Sequence, residues 1–283
     1  MTPTPGVTPT PGVTPTPGNT PAPGVTAPVG STQEPPVQKP RTDSKNTAKI
    51  ASELGVSEET AEKIQALADE LGVPVDTLLV TDSSIFSLAS EGDVSGSVFA
   101  KLQAKGKGAK KSVKLTWKKV KGADGYLIYG AKCGKKNTYK LIKTIRNGNT
   151  KTFKQKKRDK ATFYKYIVRA YKIVDGKKIS IAISKTVHVV TDGGKYGDAA
   201  SVKINKKKAT IRKGKTFKIK ASEVSKSKSK KIKRHRKICY ESTDTKIAAV
   251  TKKGKIKARA KGTCTIYVYA QNGICKKVKV RVK

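Results

Sequence analysis

From residue 101 onward, apolar and polar residues alternate with period two. In KKVKVRVK (276–283), Val278, Val280 and Val282 share one side, and Lys279, Arg281 and Lys283 the other. Such alternation marks a strand with one dry face and one wet face. Two sets of short strands follow the rule, with Gly, Asn or Asp between them. The first runs through SVKLTW (112–117), GYLIYG (125–130), YKLIKTI (139–145), KTFKQ (151–155), FYKYIVRAYKIV (163–174) and ISIAISKTVHVV (179–190). The second runs through ASVKI (200–204), TIRKG, TFKIKA, ICYES, IAAVT, GKIKARA and TCTIYVYA to KKVKVRV (276–282). The spacing predicts two antiparallel sandwiches of about 85 to 100 residues each.

The first hundred residues read differently. Ala61, Ile64, Leu67, Ala68 and Leu71 recur at helical spacing. Ser57 stands at an N-cap, Glu58 and Glu59 lie in the first turn, Gly72 stops the helix and Pro74 opens the next turn. A shorter helix precedes Gly55, so 45–80 is an acidic helical hairpin. Before it, TPTPGV, TPTPGV, TPTPGN and TPAPGV follow one another, and 12 of the 13 prolines lie in the first 40 residues. Proline fixes φ and removes a donor, so 1–44 is an extended, disordered Thr/Pro/Gly spacer. Residues 81–108 form a polar connector, with Ile85, Phe86, Leu88, Val98 and Phe99 as apolar anchors. The predicted order is spacer 1–44, hairpin 45–80, connector 81–108, sandwich 109–192, linker 193–199 and sandwich 200–283. The fold class is mainly β.

Charge divides the chain at the same place. Residues 1–100 hold 12 acids and 5 bases, and the remainder 8 acids and 57 bases. The second field attracts polyanions such as anionic cell-wall polymers, acidic lipid or nucleic acid. Only nine of the 62 bases are arginine. Sequence-reading nucleic-acid binders lean on the guanidinium fork, so a lysine field points to diffuse attraction or plain solubility and to no specific nucleic acid. The densest cluster is KSKSKKIKRHRK (226–237), read as a flexible surface loop. Its candidate anion contacts are Lys230, Lys231, Lys233, Arg234, Arg236 and Lys237.

Catalytic material is sparse. His188 lies in a strand pattern, read as a surface or edge position, and His235 in the basic loop. No catalytic set, phosphate loop, dinucleotide fingerprint or metal-ligand spacing appears, so no catalytic, cofactor or metal residue is assigned. Cys264 shares the dry face with Ile266, and Cys133 sits in a turn. Cys239 and Cys275 form a bridge only if their strands are neighbours; otherwise all four cysteines are free thiols. No apolar run of about 18 residues offers a transmembrane segment. Met1 runs straight into TPTPG without a leader, which suggests a piece of a longer chain with its export signal upstream.

The first sandwich resembles a fibronectin type III domain. Trp117, Ala123-Asp124-Gly125-Tyr126, and Tyr164 through Val168 to Ala170 carry the likeness. It implies Trp117, Tyr126 and Val168 between the sheets and Tyr164 as a tyrosine corner. The second resembles a bacterial Ig-like domain of group 2, through Ile238, Tyr240, Ser242, Ile247, Ala248, Val250, Gly254, Ile256, Gly262, Thr263 and Ile266 in order, with Tyr240 where that family has Trp. The resemblance implies a core built on Tyr240, Ala248, Val250, Ile256 and Ile266.

These resemblances imply a non-catalytic, extracellular stalk or adhesion segment of a bacterial surface or secreted protein. Its partners would be other domains of the same chain and an anionic cell-wall polymer or polysaccharide. Tyr129, Tyr139, Tyr267 and Tyr269 are candidate sugar-stacking surfaces. Two other readings stay open: an accessory module of a secreted polysaccharide-degrading enzyme, and a non-specific nucleic-acid-binding basic protein.

Overall fold

The computed structural model describes residues 44–80, 102–134 and 138–283, all within one compact unit, 42–283. Apart from Ser44, the expected Thr/Pro/Gly spacer lies outside the described residues, as does the connector up to residue 101. The fold is mainly β, with two helices ahead of two Ig-like sandwiches.

Helices α1 (Ser44–Leu54) and α2 (Glu58–Leu71) form the hairpin. The Ser57 side chain accepts from the Thr60 N–H, satisfying one of the open donors of the first turn. Ile50, Ala61, Ile64, Leu67 and Ala68 turn their apolar face onto the first sandwich and join its core. Burying each of the larger side chains contributes about 1.5–3 kcal/mol, which so short a hairpin could not collect alone. Polar contacts fix the seat: Thr60 Oγ1 donates to Asp175 at 2.7 Å, and Lys177 Nζ donates to the carbonyl of Gly55 at 2.9 Å.

In the first sandwich, β1 (Lys105–Ala109), β2 (Ser112–Thr116) and β5 (Thr152–Gln155) make one sheet. The other is β4 (Lys140–Ile145), β3 (Gly125–Lys132) and β6 (Phe163–Val174), with β7 (Lys177–Ile183) and β8 (Val187–Val190) both paired to β6. Strand β1 falls inside the stretch expected as connector. Its Lys-Gly-Lys-Gly sequence lacks the apolar alternation that marks a strand. Trp117, Tyr126, Tyr164 and Val168 are all buried. Trp117 packs on the Tyr126 ring with centroids 5.2 Å apart. The Tyr164 hydroxyl accepts from the Asp159 N–H, five residues back, at 3.0 Å.

In the second sandwich, β9 (Ala199–Ile204) pairs with β12 (Ala221–Ser225). Strands β10 (Lys208–Ile211), β17 (Cys275–Val282), β16 (Gly262–Tyr269) and β13 (Cys239–Ser242) lie in that order. Strands β11 (Thr216–Lys218), β15 (Lys255–Ala258) and β14 (Ala248–Val250) complete it. The pair β10–β17 is parallel, against the all-antiparallel expectation. Both strands run away from the same end, where β9 enters and the β16–β17 turn reverses the chain. Tyr240, Ala248, Ile256 and Ile266 are buried, and Val250 packs partly buried beside them. Gly254 has φ +76, and a Cβ there would lie 2.7 Å from the Tyr240 ring. Only glycine meets both demands, which explains its place in the motif.

Candidate functional site

The two sandwiches meet at a joint built from residues 191–198 between β8 and β9, the 270–274 turn and the basic run 226–237. The turn comes first in the argument. Asn272-Gly273 separates two alternating strands, a strong hairpin signal. Gly273 has φ +83, and a Cβ there would stand 2.0 Å from the Ala104 carbonyl oxygen, so the turn seats directly on the first sandwich. The Gln271 carbonyl accepts from the His188 N–H at 2.7 Å, and the Asn272 carbonyl from the Gly106 N–H at 2.8 Å. Asp198 repeats the device one step along, accepting from Gly108 N–H at 2.8 Å and Val190 N–H at 2.9 Å. The exposed backbone donors of β1 and β8 are thus closed by the neighbouring sandwich and its linker, as edge strands require.

Side chains lock the turn from behind. Gln271 donates to the Lys233 carbonyl at 3.0 Å and accepts from the His235 N–H at 2.9 Å. Its own N–H donates to Glu223 at 2.7 Å. Asn272 Nδ2 donates to the Ala199 carbonyl at 2.9 Å.

The basic run is therefore not a free loop. Arg236 is 8% exposed. Its Nε donates to the Thr186 carbonyl at 3.1 Å, Nη2 to Ala270 at 2.7 Å and Nη1 to Lys237 at 3.1 Å, with Cys239 Sγ as a further contact. A guanidinium committed to three carbonyls across both sandwiches cannot serve a polymer, so Arg236 leaves the set of anion contacts. Lys230 is half-buried and donates to the Gly194 carbonyl. Arg234 pairs with Glu223 at 3.2 Å. Lys233 lies over the Tyr196 ring, 5.7 Å from its centroid. Lys231 and Lys237 keep exposed side chains, although the Lys231 N–H donates to Lys195.

His188 does lie on an edge strand, β8, which pairs only with β6, but it is half-buried and not on the open surface. Cys133 Sγ lies 3.5 Å from its Nδ1. Burial, with Arg236, His235 and Lys165 nearby, pushes its pKa down to about 3. Burial pushes the Cys133 thiol up to about 11, the reverse of an activated nucleophile. Asp198 is raised to about 6 because burial outweighs its two N–H bonds. The His235 ring packs on Phe163 with centroids 4.3 Å apart.

Strand β16 settles the cysteines. Tyr269 stands opposite both Cys239 and Cys275, so the two lie on strands separated by a third. That separation is about 9–10 Å, beyond the reach of a disulfide. All four cysteines are free thiols. Tyr129 and Tyr269 are buried, not open to sugar, and the Tyr269 hydroxyl donates to Glu241 at 2.9 Å. Among the described residues no cluster of metal ligands and no membrane-spanning helix occurs.

Gln271, Asn272 and Asp198 were not singled out in the sequence. Signals existed: the Asn-Gly turn, and Asp198 as one of eight acids in a basic half. Which surface they face is set by how the domains dock, and no period reports that.

Residues 198–281 match the family model of the bacterial Ig-like domain (group 2). No curated protein matches this chain. Solved structures similar to it include a fibronectin type III domain of human, 25% identical, covering 33% of this chain and 77% of that one, TM-score 0.27. The FN5 domain of Drosophila Lar is 22% identical, covering 33% and 96%, TM-score 0.26. A β-1,2-glucanase from Parabacteroides distasonis is 18% identical over 33% of this chain, with TM-score 0.27, and this chain spans 13% of its length. By the family match the second sandwich is similar to the group 2 bacterial Ig-like domain.

Proposed function

We propose that this chain is a non-catalytic extracellular spacer of a bacterial surface or secreted protein, whose basic faces associate with anionic cell-wall polymer or polysaccharide. The observation that carries the spacer reading is the series arrangement about the joint. The 12-residue β6 spans about 40 Å. The helical hairpin caps its Val174 end through Asp175 and Lys177. At its Phe163 end, Phe163 meets Tyr196 and His235 of the joint. Strand β17 then leaves the joint and carries the chain to Lys283 at the far end. Tension between the hairpin and Lys283 passes through the joint, where backbone, carboxylate and guanidinium bonds hold the sandwiches in line.

The association has its own support. Seven of the eight carboxylates after residue 101 already accept hydrogen bonds from groups of the chain itself: Asp124, Asp159, Asp175, Asp198, Glu223, Glu241 and Asp244, of which the Glu223 and Glu241 side chains are buried and that of Asp198 largely so. With 57 bases after residue 100 and these few acids already bonded within the chain, most surface lysines are left unopposed. Label pairs at Ser52 and Lys283 in the full chain test the spacer. One narrow distance distribution, as long as both sandwiches end to end, is expected. A broad distribution reaching short distances overturns it.

A further inference from the structure

The open face of β1–β2–β5 carries a row of like charges that folding alone does not ask for. Lys107 stands directly opposite Lys114, and Lys114 directly opposite Lys154. All three are exposed. Adjacent strands lie about 4.8 Å apart, so three ammonium stems leave the sheet side by side. Like charges directly opposite one another destabilise a sheet. Edge protection accounts for lysine on β1 and β5, the outer strands, but not for Lys114 on the central one. Among the described residues no ion pair relieves the row, and the Asp192 N–H donates to the Ala109 carbonyl at the end of β1. The next row sets Lys105, Thr116 and Thr152 in line, adding a fourth cation. The second sandwich repeats the pattern: Lys208 stands opposite Lys279, with Thr265 on its other side.

We infer that the Lys107–Lys114–Lys154 row is a docking strip for a linear phosphodiester polymer laid across the strands. The inference deepens the proposed association and rests on it. Three features choose the occupant. The cations are lysines, compact point charges that bind phosphate oxygens without needing a fixed bidentate geometry. Their flexible stems adapt to dense linear charge better than to one shaped anion. No aromatic residue stands in either row, so neither nucleobases nor sugar rings find a stacking surface there.

The test uses the full chain on immobilised poly(glycerol phosphate), over a salt series. Wild type should be retained at low salt and released steeply as salt rises. The triple variant K107Q/K114Q/K154Q should bind about tenfold or more weaker, with a salt slope shallower by about two to three counterions. The charge-matched control K140Q/K143Q/K178Q alters the opposite sheet and should lose less than about twofold, the distance-screened share. Equal losses in the two variants overturn the strip while leaving a diffuse electrostatic association standing. A wild type that is not retained, or retention unchanged to about 0.5 M salt, defeats the association itself. Equal row-dependent binding of polygalacturonate, whose charges are carboxylates, overturns the phosphodiester assignment. The triple variant should melt no lower than wild type, since it relieves repulsion; a fall would make the row structural.

Discussion

Replacing Arg236 by Met is the most direct probe of the joint. Methionine keeps much of the unbranched stem and removes the fork. Three hydrogen bonds disappear, to Thr186 in the first sandwich and to Ala270 and Lys237 in the second. The Ala270 carbonyl keeps a partner, the Gly273 N–H. Among the described residues no second donor reaches the Thr186 carbonyl. Hydrogen bonds to charged groups contribute about 1.5–3 kcal/mol each, and an orphaned buried acceptor costs about 1–3 kcal/mol. These overlap, and the guanidinium regains no hydration cost it no longer has, so the net loss should be about 2–4 kcal/mol. At this size that lowers Tm by about 5–12 °C. The single tryptophan, Trp117, sits in the first sandwich and reports it alone by fluorescence, while circular dichroism reports both. In wild type the two urea transitions should coincide. In R236M they should separate, because the fork is one of the few groups bonded to both bodies. R236K, which offers one point donor, should fall between. Coincident transitions with midpoints within about 0.5 kcal/mol of wild type would refute the account.

The joint should also show opposed pH responses. Asp198, near 6 when folded, keeps a proton between about pH 4 and 6 that the unfolded chain has released, so its contribution falls as pH rises through that window. His188, near 3 when folded, refuses a proton that the unfolded chain takes up below about pH 6.5, so its contribution is lost as pH falls. The two partly cancel from pH 4 to 6. Urea midpoints at pH 4.5 and 7 should show D198N losing more stability on acidification than wild type and H188Q losing less, each by on the order of 1–2 kcal/mol; identical pH dependence in all three would contradict it. Non-reducing mass spectrometry after denaturation should find four alkylated thiols, with Cys133 reacting slowly in the native chain at pH 8 because burial holds its proton. A Cys239–Cys275 bridge would show the strand order to be wrong.

Much of the fold was legible from one-dimensional signals. Val278, Val280 and Val282 are buried and Lys279 and Arg281 exposed, because a strand's side chains alternate whatever its partner. Ser57 and Gly72 bound α2 because capping is local chemistry. The group 2 motif was readable because Gly254 and Tyr240 are held in contact by short-range geometry. Strand β1 escaped notice because two of its five residues are glycine and two lysine, and it pairs through backbone that carries no pattern.

The basic run shows where sequence stops. Its charge was countable from the letters, and that charge suggested a solvated loop. Docking decided otherwise for Arg236 and Lys230, since a guanidinium or ammonium finds its carbonyl only when two domains meet. Cys239 and Cys275 make the same point through strand order: spacing says nothing of the strand between them. Sequence by itself determined where oil and charge fall along each strand, because that follows from the period of the backbone. Tertiary structure alone decided which polar groups face another body, because burial across a joint depends on residues as far apart in the chain as Gly106 and Asn272.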